Sequence, residues 1–90
     1  MAFEVTKEND AWVSRVMKIP AEYADKLEVG DVLFGYIPTS ELLTTRTGLH
    51  DILKREIEAG VEDFSFAVKR GTATWVVNFD YNPNNYAASN

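Results

Sequence analysis

The sequence predicts an α+β fold. A single compact domain would carry a mixed or antiparallel sheet of about four to five strands, with one main helix over 48–59 packed on a C-terminal β-hairpin over 63–80. Three observations predict it. Residues 64–69 and 72–79 alternate apolar and polar side chains, the period of a strand with one buried face. Arg70-Gly71 lies between them as a two-residue loop, which sets a register in which Lys69 faces Thr72, Val68 faces Ala73, Phe66 faces Trp75 and Phe64 faces Val77. All these apolar pairs share one face, continued by Phe79 and Tyr81. Leu49, Ile52, Leu53 and Ile57 recur at helical spacing and form the stripe that would cover that face.

Taken in order, 3–7 reads as a short strand and Glu8-Asn9-Asp10 as a turn. Residues 11–19 read as a second strand, with Val13, Met17 and Ile19 on one face and Trp12 and Val16 on the other. Pro20 suits a first helical turn, and 21–27 can make about two turns, with Tyr23 and Leu27 pointing inward together. Glu22 and Asp25 lie near its positive end. Residues 32–37 form a third strand with Val32, Phe34 and Tyr36 on one face and Leu33 and Ile37 on the other. Two apolar faces mark a central strand covered on both sides, and Gly35 inside it signals a bulge or a close neighbour. Stretch 38–47 is irregular, with Thr39 or Ser40 placed to cap a single turn through Glu41, Leu42 and Leu43. Thr47 is a suitable N-cap for the main helix, Asp51–Arg55 and Lys54–Glu58 are spaced as exposed ion pairs, and Gly60 ends the helix in a left-handed conformation. The domain spans 1–81. The segment 82–90 has no periodicity and reads as a frayed tail.

Ninety residues with 46% hydrophobic and 26% charged content make an ordinary soluble composition. The absence of cysteine excludes disulfides, thiolate metal sites and cysteine nucleophiles. No apolar run reaches the roughly 20 residues of a membrane-spanning helix. No basic region precedes an apolar core at the N-terminus, so the expected address is cytoplasmic. Fourteen acidic against nine basic residues leave a net charge of -5, which argues against a chain whose main task is holding phosphates.

No constellation reads as an active site. His50 is the only histidine, and its neighbour Asp51 points about 100° away on a helix. It has no second nitrogen ligand to share a metal. The hydroxyls of Thr39, Ser40, Thr44, Thr45 and Thr47 have no identifiable base and fit capping and loop hydrogen bonds better. Arg46, just before the helix, is placed to grip an anion at the helix N-terminus. Carboxylates gather in two stretches, Glu22, Asp25, Glu28 and Asp31, then Glu56, Glu58, Glu62 and Asp63, without calcium-loop or other metal spacing. A solvated acidic surface is the simpler reading. On the other reading, both stretches lie on one side and form a patch for a basic groove on a partner.

Residues 15–33, RVMKIPAEYADKLEVGDVL, resemble the AbrB/MazE-type swapped-hairpin module. Ile19-Pro20 ends a strand, Leu27 ends a short helix, and Gly30-Asp31-Val32 opens the next strand. The resemblance covers about a fifth of the chain. It implies a dimeric DNA-binding regulator or antitoxin, with Arg15 and Lys18 in the place of the family's basic residues. After Ile37 the chain departs from that pattern into Pro38-Thr39-Ser40.

The expectation is therefore a small acidic, non-enzymatic protein-binding module that occludes a basic, nucleic-acid-binding site on a larger protein. Its partner-binding residues would be Glu22, Asp25, Glu28, Asp31, Glu58, Glu62, Asp63, Tyr36 and Arg46, with Tyr81 and Tyr86 as further surface aromatics. Neither cofactor nor metal is expected, nor direct contact with nucleic acid or membrane. The alternatives are the DNA-binding regulator and an assembly subunit whose outer faces, at Trp12 and Val16, join copies of the chain as a homodimer.

Overall fold

A computed structural model of the chain describes residues 1–80; Tyr81, Tyr86 and the expected tail lie outside the described residues. Strand β1 (Ala2–Glu8) and strand β2 (Ala11–Lys18) form a hairpin about Asn9-Asp10, where φ is 50° and 66°. Two consecutive left-handed residues make the primed turn that matches strand twist, and Asn and Asp adopt that conformation more readily than most side chains. β2 buries Val16 and Ser14, and leaves Met17 exposed. The core side of β2 is thus the Trp12/Val16 face, the reverse of an outer joining surface. The run Val13, Arg15, Met17 faces out because Arg15 reaches Glu8 across the hairpin and the Gly30 carbonyl, at 2.7–2.9 Å.

Pro20 leads into a 3-10 turn at Ala21–Tyr23. The Leu27 amide bonds the Tyr23 carbonyl at 3.0 Å, so both side chains turn inward and are buried. Strand β3 (Val32–Tyr36) is the central strand, with β2 on one side and β5 (Asp63–Arg70) on the other. Its pairing with β5 slips between Leu33 and Gly35: Leu33 faces Val68, but Tyr36 faces Phe66. This bulge at Phe34 overturns the expected alternation. It sends Leu33 and Tyr36 to the same face, both nearly inaccessible, and leaves Phe34 half-buried on the other with the Lys69 ammonium 5.8 Å from its ring centre. The outer face therefore needs no second lid, as antiparallel sheets allow.

The expected turn through 41–43 is instead a sixth strand. A 3-10 turn at Ile37–Thr39 ends on Ser40 with φ 58°, and β4 (Glu41–Leu42) pairs back onto Gly35 and Tyr36. Helix α1 (Gly48–Glu58) follows. Thr47 sits at its N-cap, but its hydroxyl donates to the Asp51 carboxylate at 2.8 Å rather than accepting from the helix backbone. Arg55 turns away from Asp51 and bonds Glu41 and Glu56 at 2.6–3.1 Å. Gly60, at φ 85°, closes the helix as expected: its amide bonds the Ile57 carbonyl and the Val61 amide bonds that of Glu56.

β5 and β6 (Ala73–Asp80) form the C-terminal hairpin. Its turn is Gly71-Thr72 rather than Arg70-Gly71, because Gly71 holds the positive φ of 60° that the first turn position requires. The register moves by two residues, so Phe66 faces Val77, Val68 faces Trp75 and Phe64 faces Phe79. A shift of two keeps every side chain on its expected face. The sheet is antiparallel throughout, in the order β1-β2-β3-β5-β6 with β4 also on β3.

The helix does not cover the hairpin alone. An eight-residue strand runs about 26 Å, whereas eleven helical residues span about 16 Å. The lid is shared. Leu49 and Ile52 of α1 join the core with Leu43, Tyr36, Phe64 and Phe66. The 20–27 segment covers β6, with Tyr23 edge-on to Phe79 at 5.2 Å and the Trp75 indole N–H donating to the Lys26 carbonyl at 3.2 Å.

Candidate functional site

The gap between the two parts of the lid leaves a cavity of about 360 Å³. Phe64, Phe66 and Phe79 form its floor, Leu49 and Leu53 of α1 one wall, and Pro20 and Tyr23 another; Met1 and Phe3 close the side nearest β1. Phe3 and Phe79 belong to opposite edge strands of the sheet, so the sheet curls enough to bring both edges to one hollow. Tyr23 is locked there, its hydroxyl accepting the Asp80 amide at 3.1 Å and its ring against Phe79.

The charged side chains of the lining are acidic: Glu22 and Asp80, both exposed, stand beside the apolar walls. Asp80 is the cross-strand partner of Asp63. The hydrogen bond that Asp80 shares with Asp63 raises the pKa of Asp63 above the ordinary aspartate range; desolvation, the Asp80 charge and Glu62 add to the shift. Among the described residues, no Lys or Arg forms an ion pair with Glu22, Glu62, Asp63 or Asp80. This open end of the C-terminal hairpin thus carries like charges that no described Lys or Arg side chain pairs directly.

At the turn end of the same hairpin the charges are compensated. Asp31 is 2% exposed and accepts a bidentate pair from Arg70 at 2.7 and 2.8 Å, while its second oxygen also takes the Glu28 amide at 2.8 Å. Glu28 lies 3.5 Å from the same guanidinium, which stacks 5.0 Å from the Trp75 ring centre. The hydrogen bonds from Arg70 hold the Asp31 pKa below its usual range against the opposing cost of burial.

The expected partner-binding set therefore divides. Glu22, Glu62 and Asp63 meet at the open end. Asp25 is exposed on the 20–27 segment and Glu58 at the end of α1. Asp31 leaves the set because it is a buried ion-pair partner, and Glu28 is drawn to Arg70. Tyr36 is 2% exposed, its ring 5.1 Å from Phe66, so it is core rather than surface. Burial raises the pKa of its hydroxyl, and the neighbouring Glu56 adds to that. Arg46 is exposed on the bend before α1. Arg15, in the 15–33 stretch, is engaged by Glu8 and Gly30. His50 is exposed, 3.5 Å from Asp51.

Two features of the site were not found in the sequence. Asp80 was missed because the expected register sets Asn78 opposite Asp63. Met1 and Phe3 were not linked to the hairpin, because only sheet curvature brings the two edges together. Comparison with protein-family models, with curated proteins and with solved structures returned no match. Among the described residues, no group of three His, Asp or Glu side chains is gathered closely enough to hold a metal ion, and no helix is long and apolar enough to cross a membrane.

Proposed function

We propose that this protein is a non-catalytic binding module that docks its acidic open end onto a basic surface of a larger protein and so occludes it. The observation that carries the reading is the Asp63–Asp80 pair. Two carboxylates that face each other across a hairpin, with Glu62 and Glu22 beside them, cost folding free energy through repulsion. A cationic partner would relieve that cost on binding and would be steered to this end by the field. The elements that hold these side chains are tied to each other by hydrogen bonding: a paired strand end and a proline-led turn joined through the Asp80 amide and the Tyr23 hydroxyl.

Retention on immobilised poly-lysine, against immobilised heparin, tests it at a defined salt concentration. The expected result is retention on poly-lysine alone, earlier elution by salt for the Asp63→Asn/Asp80→Asn double variant, and unchanged elution for Glu58→Gln. Equal elution of the double variant and the parent would sink the proposal, and retention on heparin would favour the DNA-binding reading. Affinity capture from the native host, repeated with both forms, then identifies the partner as the species lost with the double variant.

A further inference from the structure

We propose that the cavity beside Glu22 and Asp80 is a binding site for a small organic cation with an apolar body, such as an aralkyl ammonium. This goes beyond docking on a basic protein, because the ligand enters the hollow rather than resting on its acidic edge.

Volume argues first. An apolar hollow of about 150 Å³ in a protein core accepts a benzene ring. At about 360 Å³, this one has more than twice that space and falls in the size range of ligand pockets. Scaled from benzene, it holds about fourteen non-hydrogen atoms. A lysine side chain inserted by a basic partner, with five non-hydrogen atoms, would leave more than half of it unfilled, which favours a free ligand over an anchoring lysine.

The lining then selects the chemistry. Phe3, Tyr23, Leu49, Leu53, Phe64, Phe66 and Phe79 offer apolar and ring surface to the body of a ligand. The charged side chains in the lining are Glu22 and Asp80, and Asp63 stands directly across from Asp80. Neither Lys nor Arg is among the lining residues, and the α-ammonium of Met1 is one positive charge against the three carboxylates of Glu22, Asp63 and Asp80. An anionic ligand would bring a third or fourth negative charge to that mouth. A neutral one would leave the carboxylates uncompensated. An ammonium head satisfies them while its apolar body fills the hollow, and the aromatic walls add attraction for a cation.

The test is a titration of the full chain, isotope-labelled and followed by amide NMR, with three isosteric probes: 4-phenylbutylammonium, 4-phenylbutanol and 4-phenylbutanoate. The expected result is saturable shifts for the ammonium, centred on Tyr23, Leu49, Leu53 and Phe79, with affinity at least tenfold above that for the carboxylate and several-fold above that for the alcohol. Asp80→Asn should bring the ammonium down to the level of the alcohol without changing the alcohol. Leu53→Trp, at a half-buried helix position, should fill the hollow and abolish binding of both while leaving retention on poly-lysine intact. That last comparison separates failure of this site from failure of the docking reading. Absence of saturable shifts at millimolar ammonium would overturn the assignment, as would equal binding of the carboxylate. Nuclear Overhauser contacts from residues 81–90 into the hollow that persist at saturating ammonium would overturn it too, by making the chain itself the occupant.

Discussion

Arg70 and Asp31 show how a residue's neighbours decide its meaning. Asp31 follows Gly30 in an acidic run and reads as one more surface carboxylate. In the fold it is buried, and Arg70 comes to it from 39 positions away. The pair is asymmetric, since the guanidinium side chain is 45% exposed and the carboxylate 2%. Removing Arg70 strands a buried charge, whereas replacing Asp31 leaves a cation that can turn to water. Arg70→Ala should therefore lower stability more than a change at Asp31 does, because the carboxylate it leaves behind is buried. Asp31→Asn, which keeps an acceptor for the Glu28 amide, should cost only about 1 kcal/mol. Urea unfolding of both variants checks the order; a costlier Asp31→Asn would contradict it. No property of Asp31 itself marks it as buried, which is why the pairing was not legible before the strands were placed.

At the scale of elements, the bulge in β3 does most to shape the site. One extra residue at Phe34 puts Leu33 and Tyr36 on the same face, where period-two reading separates them. Gly35 was recognisable as the mark of a bulge or a close neighbour, but which of the two, and its consequence for the residues beside it, depends on where β5 pairs. A methyl group at Gly35 would sit 3.6 Å from the Ala67 methyl group and 3.7 Å from the Glu41 carbonyl, ordinary contact distances. Gly35→Ala should thus be near neutral in thermal unfolding. Gly35→Val has no such room between β4 and β5 and should cost about 1–3 kcal/mol from overpacking. An equal loss in the two variants would show that backbone freedom, not space, selects glycine there. The C-terminal hairpin teaches the converse. Its faces were legible because alternation survives a two-residue slip, whereas its register was not, since either Arg70-Gly71 or Gly71-Thr72 satisfies the alternation, and what separates them is that Gly71 and not Arg70 holds the positive φ of the first turn position.

Across the whole molecule, charge is laid out in two unlike ends. At the turn end, Arg15 and Arg70 hold Glu8 and Asp31 below the ordinary carboxylate range. A depressed folded-state pKa gives stability that is present above the ordinary range and lost as pH falls through the folded value. At the open end Asp63 is raised instead. Its contribution is favourable below the ordinary aspartate range and is lost as pH rises through its folded value. Asp63→Asn should accordingly raise the thermal midpoint at neutral pH, with the gain shrinking as pH falls through the carboxylate range. A gain independent of pH would remove the repulsion as its cause. What the sequence by itself determined is the local layer: the two hairpins, the helix over Gly48–Glu58 ended by Gly60, and the buried face of Phe64, Phe66, Val77 and Phe79, all set by periodicity and turn chemistry within a few residues. Only the tertiary structure decided the sixth strand, the divided lid, the burial of Asp31 and Tyr36, and the hollow between Phe3 and Phe79. Each of these depends on which distant segments meet, and a chain's local pattern carries its own faces but not the identity of what will cover them.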